Sequence, residues 1–173
     1  MGDPATAAAW ILANCADIWF EWRCLQIASF VDAARDVLER HRPGATLGLF
    51  TVPWTGQAMD RLDIEQAHIR IVGQDPALLG PRVDVLSPMV YHRLCGQDVD
   101  WPRRVTNELC GQVNCHVWPV IEALEEDASF SEQEFAEVCR SAGRAGTGRL
   151  IVFNLTGMLA DPDKFSTFQP PTG

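Results

Sequence analysis

The chain has 173 residues, enough for one domain with a sizeable core, and its 47% hydrophobic and 21% charged residues are an ordinary globular balance. A formal net charge of −9 argues against nucleic acid or an anionic membrane as the main partner, because both require a basic face. No apolar run reaches the roughly 20 residues that span a bilayer, and Met1-Gly2-Asp3-Pro4 lacks the basic start of a secretion signal.

In chain order, helical and strand patterns alternate. The first helical pattern runs from about Thr6 to Arg40, with a break near Asn14 to Asp17. Its Phe30, Val31, Ala34, Val37 and Leu38 form an apolar stripe. Arg40, His41 and Arg42 suit the negative end of the helix dipole, and Pro43-Gly44 stops the helix. Leu47 to Val52 is the first predicted strand, closed by Pro53-Trp54-Thr55-Gly56. A charged helical stretch follows, roughly Gln57 to Val72. Asp75 caps a short helix that has Pro76 at its first position.

Val83 to Val90 is the second strand. Asp100 caps a helix from Trp101 to Leu109, and Cys115 to Ile121 is the third strand. Ser131-Glu132-Gln133-Glu134 is a capping box that opens a helix to about Ala145. Gly146-Thr147-Gly148 turns the chain into the fourth strand, Leu150 to Leu155, and residues 160–173 form a tail.

Four βα units in one α/β domain, residues 1–173, are therefore expected. The strands are near-continuous apolar runs, as parallel strands buried on both faces should be. Two architectures fit: half of an eight-stranded (β/α) barrel, or a small doubly wound parallel sheet. The chain contains neither G-x-G-x-x-G nor G-x-x-x-x-G-K-[ST], which favours the half barrel.

None of the six cysteines forms a C-x-x-C pair, and Cys110 and Cys115 with His116 match no zinc spacing. The expectation is reduced thiols in a cytoplasmic protein, with no metal and no cofactor.

Ligands of parallel sheets gather at the C-terminal ends of the strands. Glu122 ends the third strand and is the best-placed carboxylate. If it faces a ligand, Trp118 and Val120 share that face by two-residue alternation. Tyr91 and His92 end the second strand, one as a hydroxyl donor and the other as a proton carrier near neutral pH. Trp54 follows the first strand and offers a flat apolar face. Asn154 is polar within an apolar run and needs a partner if buried. Asp84 begins its strand, which predicts a structural hydrogen bond. Asp17, Glu21 and Arg23 are expected to pair structurally, and Trp10, Trp19, Trp22 and Trp101 to pack helices.

Several segments also carry a family resemblance. Trp19-Phe20-Glu21-Trp22-Arg23, Leu47 to Trp54, Asp84 to His92, Val117 to Glu122 and Gly148 to Leu155 together resemble the C-terminal half of a bacterial glycoside-hydrolase-like (β/α) barrel. The first segment is similar to the helix after strand four, and the others to strands five to eight. Ser87-Pro88-Met89-Val90-Tyr91 is also similar to the Met-x-Tyr-Asp strand of chitinase-like barrels, with His92 where the Asp would stand.

The resemblance implies that strands one to four lie outside this chain. It implies a protein that binds or hydrolyses a carbohydrate once the barrel is completed. Its catalytic residues would be Glu122 and His92, and its substrate-binding residues Trp54, Met89, Tyr91, Trp118 and Asn154. An N-terminal half or a second copy is the expected protein partner. The alternative is a non-catalytic carbohydrate-binding or assembly module.

Overall fold

In the computed structural model, the described residues are 3–54, 67–123, 131–146, 148–160 and 163–164. Asp3 starts the first helix, α1 (Pro4–Asn14), by accepting the amides of Ala5 and Thr6 at 3.3 and 3.1 Å. Cys15, with φ −149° and ψ 38°, breaks the helical path within the expected interval. Helix α2 (Ala16–His41) then runs for 26 residues and ends before Gly44, whose φ of 77° a side-chain-bearing residue would resist.

The remaining elements are β1 (Gly48–Thr51), α3 (Ala67–Arg70) and α4 (Pro76–Leu79), followed by a 3₁₀ turn (Gly80–Arg82). Next come β2 (Val85–Pro88), α5 (Trp101–Cys110), β3 (His116–Val117) and β4 (Val120–Glu122). The chain continues through α6 (Glu132–Gly143), β5 (Ile151–Phe153) and α7 (Leu155–Ala160). Most of the helix expected over 57–72 lies outside the described residues.

This is a mixed α/β fold with short, parallel sheets. β1, β2 and β3 form one sheet in that order, and β4 pairs with β5 in a second. A parallel bridge from Met89 to Val120 joins them. The expected third strand is thus divided at Trp118-Pro119. Proline has no amide to donate. Trp118 still donates to Leu86 at 3.0 Å, and from Pro119 onward the pairing passes to β5, with Ile151 donating to the Pro119 carbonyl at 2.9 Å.

Alternate strand residues meet the helices. Leu86 and Val117, with Leu49 beside them, pack on Val31 of α2, Leu79 of α4 and Leu109 of α5. Ile121, with Val152 beside it, packs on Trp101, Val105, Phe135, Val138 and Met158. By alternation, Phe50, Glu122 and Phe153 face the other way, and Phe50 and Phe153 are 55% and 50% exposed.

Several expected polar roles are visible. Asp84 accepts the Leu47 amide at 2.7 Å and pairs with Arg35 at 3.0 Å, tying β1, β2 and α2 together. Asp75 caps α4 through the Ala77 amide at 2.9 Å. Asp100 differs from expectation. Its side chain makes no capping bond, because its carboxylate is drawn to Arg103 and to the Ser141 hydroxyl, linking α5 to α6. Arg23 has the structural role expected of it, but among the described residues its partners are not acids: it donates to the carbonyls of Arg70 and Ile71 at 3.1 and 2.6 Å. Trp101 packs as expected at 0% exposure, whereas Trp10 and Trp22 are 62% and 50% exposed.

Gln74 supplies a device that the sequence does not announce. β1 turns its Leu47 and Thr51 carbonyls toward β2, so the groups of Phe50 and Val52 face outward. The Gln74 side chain accepts the Val52 amide at 2.8 Å and donates to the Phe50 carbonyl at 3.3 Å. One amide group thus takes the place of a parallel strand residue and closes this end of the edge, where open edges invite pairing. Gln74→Ala is expected to lower stability by about 1 kcal/mol, read as a lower urea midpoint. An unchanged midpoint would remove this role.

Candidate functional site

The face turned away from the helices carries the candidate site at the ends of β2, β4 and β5. Tyr91 follows the bridged residue Met89, and its ring stacks on Phe153 with centroids 6.1 Å apart and planes 27° off parallel. Glu122 ends β4 directly opposite Phe153 in the parallel register. Tyr91 is half-buried. Burial first, and the nearby charge of Glu122 second, push its phenol pKa upward. The hydroxyl therefore remains a neutral donor across the physiological range. An aromatic pair, a phenolic O–H and a carboxylate are brought together here.

His92 lies in the turn that follows β2 and is directed to α6. It is 5% exposed, and its Nε2 lies 2.9 Å from Glu134 Oε1 on α6. Arg93 grips the same carboxylate, with Nε donating to Oε1 at 2.7 Å and a terminal nitrogen to Oε2. Arg93 first, and then His92, hold the Glu134 carboxyl down at about 2. Ser131 makes its half of the capping box by accepting the Glu134 amide at 3.2 Å, while the glutamate side chain is directed to the β2 loop. His92, Arg93 and Glu134 thus form a cross-link that fixes the segment carrying Tyr91.

The other expected site residues are dispersed. Met89 is half-buried in the bridge to β4. Asn154 lies past the end of β5, not within it, and caps α7: its Oδ1 accepts the Gly157 amide at 2.8 Å. Trp54 is half-buried just beyond β1, with its carbonyl 2.9 Å from His68 Nδ1.

Trp118 lines a cleft of about 650 Å³ at the N-terminal ends of the strands, with Asp84, His116 and Arg149. Its ring lies under the Arg149 guanidinium at 5.4 Å and stacks on His116 at 6.3 Å. Among the described residues, its buried indole N–H has no hydrogen-bond partner.

Three residues at or beside the site had no motif to mark them. Phe153 was legible only as one apolar residue of a strand, and Glu134 only as half of a capping box. Lys164 lies in the expected tail, yet it is 5% exposed and its Nζ donates to the Ala123 carbonyl at 3.2 Å, one residue after Glu122. All six cysteines are unpaired, and burial pushes the Cys139 thiol up to about 12. Among the described residues, no group of three or more His, Cys, Asp or Glu is placed to hold a metal ion, and no helix is long and apolar enough to cross a membrane.

Comparison with protein-family models, curated proteins and solved structures found no match to this chain.

Proposed function

We propose that the chain binds carbohydrate on its open strand face, as the strand-five-to-eight half of a glycoside-hydrolase-like (β/α)8 barrel. The observation that carries this reading is the Tyr91–Phe153 stack beside Glu122 at the C-terminal strand ends. Sugar rings present apolar C–H faces to aromatic rings, while their hydroxyls need fixed polar partners. Tyr91 would donate to one hydroxyl and Glu122 would accept from another.

The strand order supports the architectural part. The pairing runs β1, β2, then β3 and β4, then β5, in sequence and parallel. Right-handed crossovers between strands in sequential order put every connecting helix on one face, as in a barrel. A doubly wound sheet reverses its order and covers both faces. On this reading the N-terminal half lies in another chain or segment. The unpaired thiols favour a reducing compartment such as the cytoplasm.

Hydrolysis needs two carboxyl groups, one of them held protonated. Glu122 would supply the first. Glu134 cannot supply the second, because Arg93 keeps it ionised. The acid would therefore come from the N-terminal half, and this chain alone would bind without cleaving. That same observation favours the non-catalytic binding module as the second reading. His92 is then a positioning residue acting through the Tyr91 segment.

Calorimetric titration with chito-, cello-, xylo- and malto-oligosaccharides tests the proposal. Binding by at least one series is expected, weakened tenfold or more by Tyr91→Ala and by Phe153→Ala, since a lost stacking contact costs about 1–3 kcal/mol. With an N-terminal half supplied, aryl-glycoside hydrolysis should disappear in Glu122→Gln. No binding to any series at millimolar concentration would sink the reading.

A further inference from the structure

A buried lysine needs a reason, because lysine is almost never shielded from water unless its ammonium is paired. Lys164 is 5% exposed, although it follows α7 in the segment expected to form a tail. Its Nζ donates to the Ala123 carbonyl at 3.2 Å. Ala123 is 0% exposed and belongs to one buried cluster with Val90, Trp101 and Met158. Its amide donates to the Phe153 carbonyl at 2.7 Å. Both backbone groups of Ala123 are therefore held, one by β5 and the other by the ammonium.

Ala123 stands directly after Glu122, the carboxylate of the candidate site. A side chain at a strand end is only as fixed as the backbone beside it, and a precise site depends on such supporting bonds. Within a sheet the ladder supplies them. Here the carbonyl of Ala123 is met instead by a side chain from 41 residues away. A hydrogen bond from an ionised donor is about twice as strong as a neutral one, which suits an anchor at the point where β4 ends. Glu122 is sensed in turn by Tyr91: burial and the Glu122 charge together push the phenol upward. The chain has one tyrosine, so its titration reads how close Glu122 stands.

We propose that Lys164 is a positioning residue of the candidate site: by holding the Ala123 carbonyl it fixes the end of β4 and keeps the Glu122 carboxylate beside Tyr91. The segment after α7 is then part of the support of the site. This role rests on the reading given above in taking Tyr91 and Glu122 as the polar pair of the site, and its first readout needs no sugar.

The test replaces the single tyrosine by a ring-fluorinated tyrosine, whose phenol titrates in milder alkali. Its one fluorine NMR signal is followed against pH, with far-UV circular dichroism as the control for folding. Glu122→Gln is expected to lower the phenol midpoint. Lys164→Met should lower it in the same direction, and the double variant should fall no further than Glu122→Gln alone, since the lysine acts through the glutamate. Lys164→Gln, whose amide is one bond shorter, should lie between wild type and Lys164→Met, and it carries the test if the methionine variant does not fold. On the carbohydrate reading, Lys164→Met should also weaken sugar binding about two- to tenfold, the worth of one hydrogen bond. An unmoved midpoint in Glu122→Gln or in the folded Lys164 variants overturns the proposal and leaves the lysine a tie between tail and core. A raised midpoint in Lys164→Met overturns it as well, because the lysine would then act on Tyr91 by its own charge. A midpoint that falls in a chain that binds no sugar upholds the positioning role and removes only the carbohydrate reading.

Discussion

Phe135→Ala is expected to destabilise the chain by about 3–5 kcal/mol, the usual cost of emptying a fully buried aromatic position. Phe135 is 0% exposed and sits where α6 meets the strands, in one cluster with Val90, Trp101, Val105 and Ile121. Those residues come from the end of β2, from α5 and from β4. The cavity would therefore loosen three elements at once. A domain of this size is stable by about 5–15 kcal/mol, so the variant should be close to unfolding at 37 °C. Urea denaturation of both proteins measures the difference. Phe153→Ala is the control, since its half-exposed ring leaves little cavity, and its cost should stay near 1 kcal/mol. Equal costs at the two positions would show that the buried cluster is not the centre of the fold.

Glu134→Gln is expected to cost about 2–3 kcal/mol at neutral pH, as loss of a charge-assisted pair with Arg93 and His92 does. The dependence on pH identifies the cause. The folded carboxyl is held at about 2, below the ordinary value near 4.3. Its contribution is therefore fully present above about pH 4.3 and is lost as pH falls through about 2. The gap between wild type and variant should be widest from pH 5 upward and should close by about pH 2. Urea midpoints across that range read it directly, and a gap independent of pH would assign the effect to packing instead. Asp100 is also held down at about 2, by Arg103. Both side chains of that pair are more than 40% exposed, so water screens it and its removal should matter much less.

The two charged clusters show what kind of information the sequence holds. Ser131 as an N-cap and Asp75 as an N-cap were legible because each bond closes within three residues. The destination of the Glu134 carboxylate was not, since its partners lie 41 and 42 positions away. Both outcomes are compatible with the same local pattern, and only the docking of α6 beside the β2 loop selects one. Asp84 was legible as structural because it begins a strand, yet its donors, Leu47 and Arg35, are likewise remote.

The candidate site divides in the same way. Tyr91 and Glu122 were expected at strand ends, and their neighbourhood follows from parallel pairing in register. His92 was grouped with them by its position in the chain, but it lies in the turn after β2, and Glu134 on the distant α6 draws it into a buried pair. Asn154 looked like a polar residue within a strand. The strand ends one residue earlier, and the side chain caps a helix whose short pattern carried no strong periodicity. Trp118 shares a predicted face with Glu122, but the chain changes pairing partner at Pro119, and the tryptophan is left at the N-terminal cleft.

What the sequence by itself determined is the alternation of helix and strand, the break near Cys15, the caps at Asp75 and Ser131 and the candidates at the strand ends. Each follows from periodicity, from backbone preference or from a hydrogen bond that closes within a few residues. The tertiary structure alone decided the division of the third strand, the cross-link of His92 and Arg93 with Glu134, and the use of Gln74 as a substitute strand. These depend on which groups from distant segments arrive side by side. A buried carboxylate or an open backbone edge takes the best partner within reach, and reach is set by packing.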